Sequence, residues 1–153
     1  MSPSAPALDL DTAARLRASI GRLSRRLRPT EAGAAAGLTP TRISVLFTIM
    51  RLGPIRLSEL AEEEGLNPTM LSRVIADFAD SGLLTRVCDP GDRRAALVQI
   101  TAAGRKLCAR MRAERTDVLE LALAGLAEED RRALEQALPV LEELAQGLKG
   151  RRG

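Results

Sequence analysis

Apolar residues recur at helical spacing over most of this chain, with one interval where the spacing changes to that of strands. Leu16, Ile20, Leu23 and Leu27 follow at steps of four, three and four, while Arg15, Arg22 and Arg26 fall on other faces, which predicts an amphipathic helix. Asp9 or Asp11 can cap it, and Pro29 ends it near Arg28. The Ala- and Gly-rich residues 30–37 read as a connection. Thr39 and Pro40 then open a second helix that carries Ile43, Leu46, Phe47 and Met50 to Leu52, because threonine can accept from first-turn amides and proline there loses no useful donor. Gly53-Pro54 stops it.

A short helix, LSELAEEE, follows from Leu57 to Gly65, whose missing Cβ suits the left-handed residue that ends a helix. Asn67 and Pro68 restart a helix whose apolar stripe is Leu71, Val74, Ile75 and Phe78, ending near Gly82. Two helices joined by a tight glycine turn form a helix-turn-helix pattern, which any three-helix core could also show. The period then shortens. Residues 84–87 and 96–100 read as strands around Asp89-Pro90-Gly91-Asp92, where Pro second and Gly third favour a type II turn.

Thr101 is expected to cap a long helix with Leu107, Met111, Val118 and Ala122, running to about Ala124. After a break at 126–130, a last helix carries Leu134, Leu138, Leu141, Ala145 and Leu148 on one stripe, with a kink expected at Pro139. The expected fold class is mainly α with a small β-hairpin wing. A winged helix-turn-helix domain over 39–100 is joined by helical regions at 9–28 and 101–149, intertwined with it as a single domain, and residues 1–8 and 150–153 read as flexible tails.

Composition narrows the function. Two Phe and no Trp or Tyr leave almost nothing on which single-stranded bases could stack, which points to duplex nucleic acid. Lys and Arg number 23 against 20 acidic residues, and the pI of about 9.5 permits nucleic-acid binding without requiring it. Cys88 and Cys108, in a chain with no His, suggest neither a disulfide framework nor a zinc site. There is no Gly-rich phosphate loop and no nucleophile beside a base, which argues against an enzyme, and Glu62, Glu63 and Glu64 read as surface. No cofactor or metal is implied. With no apolar run of membrane length and no signal-peptide layout, a cytoplasmic protein with no membrane partner is expected.

At the hairpin, Asp92-Arg93-Arg94, Leu97-Val98 and Ile100-Thr101-Ala102-Ala103-Gly104 together resemble the wing signature of the MarR family of bacterial transcriptional regulators. Leu57-Ser58-Glu59-Leu60-Ala61, Ser72-Arg73-Val74-Ile75 and Gly82-Leu83-Leu84-Thr85-Arg86 resemble that family in order and spacing. The family often has Ser or Thr where this chain has Arg56 and Ala127. The resemblance implies a sequence-specific regulator, a repressor released by a small ligand, whose helix from Pro68 to Ser81 enters the major groove of duplex DNA. Its candidate contacts are Asn67, Pro68, Thr69, Met70, Ser72 and Arg73, with Arg73 foremost because a guanidinium can donate twice to guanine. In the wing, Asp92 is expected to orient a nearby arginine, Arg93 or Arg94 at the hairpin tip to reach the minor groove, and Arg86 to join the contact set.

The same resemblance implies a homodimer on an inverted repeat, with Leu16, Ile20, Leu134, Leu138, Leu141 and Leu148 at its interface. It also implies a small anionic or phenolic effector. Arg15, Arg22 and Arg112 are conceivable partners for a carboxylate, although solvated helix faces are the favoured explanation of them. Two alternatives remain open: a winged-helix protein-interaction module without specific DNA binding, and a redox-responsive regulator using Cys88, whose thiol Arg86 could activate.

Overall fold

The helices that begin at Pro40 and Pro68 start behind a capping side chain, and Gly53, Gly65 and Gly82 turn the chain after the three mid-chain helices. This is visible in a computed structural model, which describes residues 10–149, with side chains for all of them except Leu10, Arg93, Arg94 and Lys149. The elements are α1 (Leu10–Leu27), α2 (Glu31–Ala35), α3 (Pro40–Leu52), β1 (Ile55–Arg56), α4 (Leu57–Glu64), α5 (Pro68–Asp80), β2 (Leu84–Asp89), β3 (Asp92–Ile100), α6 (Ala102–Ala124) and α7 (Glu128–Lys149). The mainly helical fold with a small wing is as expected. Asp9 and the two tails lie outside the described residues.

Thr39 caps α3 by accepting from Arg42 N, and Gly53 closes that helix at φ 75°. Gly65 closes α4 at φ 62°, with Leu66 N donating to Ala61 O, so the chain turns within two residues into α5. Residues 30–37 are not merely a connection. Thr30 caps α2 locally by accepting from Gly33 N, and Ala32 N donates to both carboxylate oxygens of Glu114 at 3.1 and 3.2 Å, a contact no local pattern announces.

One compact unit ends at Arg115 and a second begins at Thr116. The core of the first gathers Val45, Leu46 and Ile49 of α3, Leu60 of α4, Leu71, Ile75 and Phe78 of α5, and Cys108 and Met111 of α6, all fully buried. In the second, no residue from 116 to 148 is buried, and α7 continues through Pro139.

The hairpin is part of a three-stranded antiparallel sheet in the order β1-β3-β2. The strand missing from the sequence reading is β1, whose two residues pair with Val98 and Leu97 and are too few to show alternation. The hairpin strands also run further than expected, so that only Pro90 and Gly91 form the tip and Arg93 and Arg94 lie on β3. Gly91 does not take the positive φ of a type II turn. Asp89 shapes the tip instead, its Oδ1 accepting from Gly91 N at 2.8 Å.

Candidate functional site

The helix α5 has two unlike faces. Leu71, Val74, Ile75 and Phe78 are buried in the core, which leaves the polar residues of its first turn outside. Asn67 accepts from Thr69 N at 2.8 Å, Pro68 occupies the first position, and Thr69 and Met70 are exposed. The Ser72 hydroxyl donates to Pro68 O at 2.9 Å, so its proton is committed to its own helix while its lone pairs remain open. Arg73 is exposed and shares a shallow groove with Arg42, Asn67, Thr69, Met70 and Asp77. Arg42, missed by sequence reasoning, ties α3 to α5 by pairing with Asp77.

On the wing, Arg86 is exposed on β2 opposite Val98, and Asp92 is exposed at the start of β3 opposite Asp89. The side chains of Arg93 and Arg94 lie outside those described. Asp89 holds an arginine by a direct bond: Arg56 Nε donates to its Oδ2 at 2.8 Å, and Arg56 Nη2 donates to the same oxygen. The Gly91 amide first, and then the Arg56 guanidinium, hold the Asp89 carboxyl below the usual aspartate range. A depressed carboxyl stabilises the fold above its unfolded value and ceases to as pH falls through the lower folded one, so the pair is intact at neutral pH. Arg56 makes no side-chain cap for α4, which accords with its standing where Ser or Thr is usual.

The acidic run of α4 is not all surface. Glu64 accepts from the Thr48 hydroxyl, and Glu63 pairs with Arg51 at 2.7 Å, so two of the three carboxylates fasten α4 to α3. A cavity of about 590 Å³ opens beside them, lined among others by Arg28, Ser44, Phe47, Glu64 and Arg115. The Arg112 and Arg115 guanidinium carbons lie 5.2 and 5.3 Å from the centre of the Phe47 ring. Arg115 Nε is buried and has no hydrogen-bond partner among the described residues. Arg15 and Arg22 are engaged on α1 itself, with Asp11 at 3.9 Å and Ser19 at 3.2 Å, and do not line the cavity.

Cys88 is exposed on β2, and Cys108 is buried, which pushes its thiol up. A thiol reagent is expected to modify Cys88 at least about a hundredfold faster than Cys108 in the folded protein, and both at similar rates after denaturation. Timed alkylation read by peptide mass spectrometry checks this, and equal native rates would contradict the burial of Cys108.

The comparisons bear on this arrangement directly. A family model described as MarR family matches residues 38–96, which span α3 to the middle of β3. The chain is 32% identical over 136 residues to an HTH-type transcriptional regulator of Mycobacterium tuberculosis, MT0903.1, covering 86% of this chain and 94% of that protein. The chain belongs to the MarR family.

As a MarR-family protein it is a transcriptional regulator with a DNA-binding helix-turn-helix. Its fold is similar to that of the transcriptional regulator Tm0710 from Thermotoga maritima, with a TM-score of 0.80 at 23% identity, covering 93% of this chain and 99% of that one. It is also similar to a MepR mutant of S. aureus solved with an oligodeoxyribonucleotide, with a TM-score of 0.65 at 15% identity over 87% of this chain and 97% of that one. Among the described residues no helix is long and apolar enough to cross a membrane.

Proposed function

We propose that this MarR-family regulator acts as a homodimer that binds an inverted-repeat duplex, represses from it, and is released by a small anionic or phenolic ligand. It works by binding rather than catalysis. The observation that carries the reading is the exposed start of α5, with Asn67, Thr69, Met70 and Arg73 outside, standing on a buried opposite face and flanked by the wing. Thr69, Ser72 and Arg73 face base edges in the major groove, with Asn67, Pro68 and Met70 at its margin. Arg93 or Arg94 enters the minor groove, with Arg86 on the backbone and Asp92 orienting a nearby arginine.

The helices outside the DNA-binding region form the dimer. Exposed Ile20 on α1, beside half-buried Leu16, and exposed Leu134, Leu138, Leu141 and Leu148 on α7 are apolar surface that a second copy would cover. Charge supports the pairing, since α1 carries five arginines against one aspartate and α7 carries six carboxylates against three basic residues. The ligand occupies the cavity at Phe47, where a carboxylate or phenolate would supply the acceptor that Arg115 Nε lacks and a ring would lie against Phe47.

Selection of bound sites from random duplex DNA, repeated with phenolic acids present, tests the proposal. An enriched inverted repeat, lost when a ligand is added, is expected; failure to enrich any repeat overturns it. Arg73→Ala is expected to weaken the selected site by roughly 10- to 100-fold while binding to scrambled duplex falls much less. Equal losses on both duplexes, in parallel gel-shift titrations, would assign Arg73 to phosphate instead.

A further inference from the structure

The wing is held at two places, and only one belongs to the sheet. The short strand β1 reaches β3 at Val98 and Leu97, so from Ala96 and Cys88 outward the hairpin is a two-stranded ribbon. Ribbons of that kind are marginally stable alone and strongly twisted. Arg56, the second residue of β1, supplies a hold further out. Directly opposed residues share a face of an antiparallel sheet, so Arg56, Leu97 and Val87 project together. Beyond Ala96 the regular ladder breaks, since Cys88 pairs with Ala96 but Asp89 pairs with Asp92. Across this break the Arg56 guanidinium reaches from one outer strand to Asp89 on the other.

Both oxygens of Asp89 are engaged, Oδ1 by the tip amide of Gly91 and Oδ2 by Arg56, and the Asp89 side chain is only 12% exposed. One carboxylate therefore fixes the shape of the tip and its attachment to the residue that begins α4. The arginines of the wing, Arg93 and Arg94, follow four and five positions after Asp89.

We propose that the Arg56–Asp89 pair is a strut that sets the wing against the helix-turn-helix, making both residues positioning residues for DNA binding without contact to DNA. The inference rests on the DNA-binding reading above for its consequence, though the strut itself exists in the free protein. A wing that swings must lose that freedom on binding, and the loss appears as weaker affinity. Charge alone predicts the opposite for one partner, because neutralising Asp89 makes the surface more positive and should tighten binding to a polyanion.

The test uses Arg56→Ala, Asp89→Asn and the double variant, since asparagine keeps an oxygen for the Gly91 amide. On the selected duplex each single variant is expected to bind roughly tenfold more weakly, and the double variant about tenfold rather than a hundredfold, with the slope of log affinity against log salt unchanged. A spin label on exposed Cys88 is expected to become more mobile in all three DNA-free variants, with thermal melting of the core held as the measure of folding. Tighter binding by Asp89→Asn, a salt slope reduced by about one in Arg56→Ala, or an unchanged Cys88 spectrum would each overturn the strut. If selection yields no DNA site, the spectra of the free proteins still decide whether the wing is held.

Discussion

A chain carrying both Leu138→Glu and Leu141→Glu is expected to sediment as a monomer and to bind the selected inverted repeat at least about a hundredfold more weakly, because it loses the tethering of two half-site contacts. Leu138 and Leu141 are 52% and 36% exposed on the apolar stripe of α7. Burying one leucine contributes about 1.5–3 kcal/mol, and an unpaired carboxylate in its place costs several kcal/mol more, so two such changes exceed what a standard interface can absorb. The fold of the first unit should survive, since every core residue lies between Ala32 and Met111. Sedimentation, with titration onto duplexes bearing one or two half-sites, checks both parts. A dimer that persists in the double variant would remove α7 from the interface.

Gly104→Ala is expected to lower stability by about 3 kcal/mol, at the upper end for overpacking, and Tm by about 10 °C. A Cβ at this position would lie 2.3 Å from Leu83 O and 2.7 Å from Ile100 Cγ1. The carbonyl cannot retreat easily, because it accepts from Thr101 N at 3.0 Å and shares the Thr101 hydroxyl proton with Gly82 O. The same hydroxyl accepts from Gly104 N at 3.1 Å, so relief by moving the helix would strip α6 of its cap. Gly147→Ala is the control: nothing lies within 4 Å of its Cβ position, and alanine in this last turn of α7 should stabilise by at most about 0.5 kcal/mol. Thermal melts of the two variants decide, and a wild-type melt for Gly104→Ala would refute the close approach.

The contrast between these sites shows which parts of the structure were legible in the sequence. The helices α3, α4 and α5 were readable because their signals are local: Thr39-Pro40, Gly65 and Asn67-Pro68 each act within four residues. The exposed face of α5 followed from the spacing of Leu71, Val74, Ile75 and Phe78. Elements held from a distance were not readable. The helix α2 depends on Glu114, 82 positions away from the amide it accepts, and β1 exists only through its partner β3. Arg56 did carry a trace, as an arginine where a capping hydroxyl is usual, but nothing local joined it to Asp89, 33 positions on. The engagement of Glu63 and Glu64 with α3 was likewise hidden inside what looked like a solvated acidic run.

The pair of hydrogen bonds between Ala32 N and Glu114 also limits how α6 can move. Glu114 and Arg115 are neighbours on one helical turn, the first holding α2 and the second lining the cavity. Rolling α6 about its own axis by one residue, about 100°, would carry the Glu114 carboxylate away from Ala32 and break both bonds. Tilting the helix about that turn preserves them. Within the first unit that turn is therefore a fulcrum, and a displacement that starts at the cavity should grow with distance from Arg115 towards Ala102.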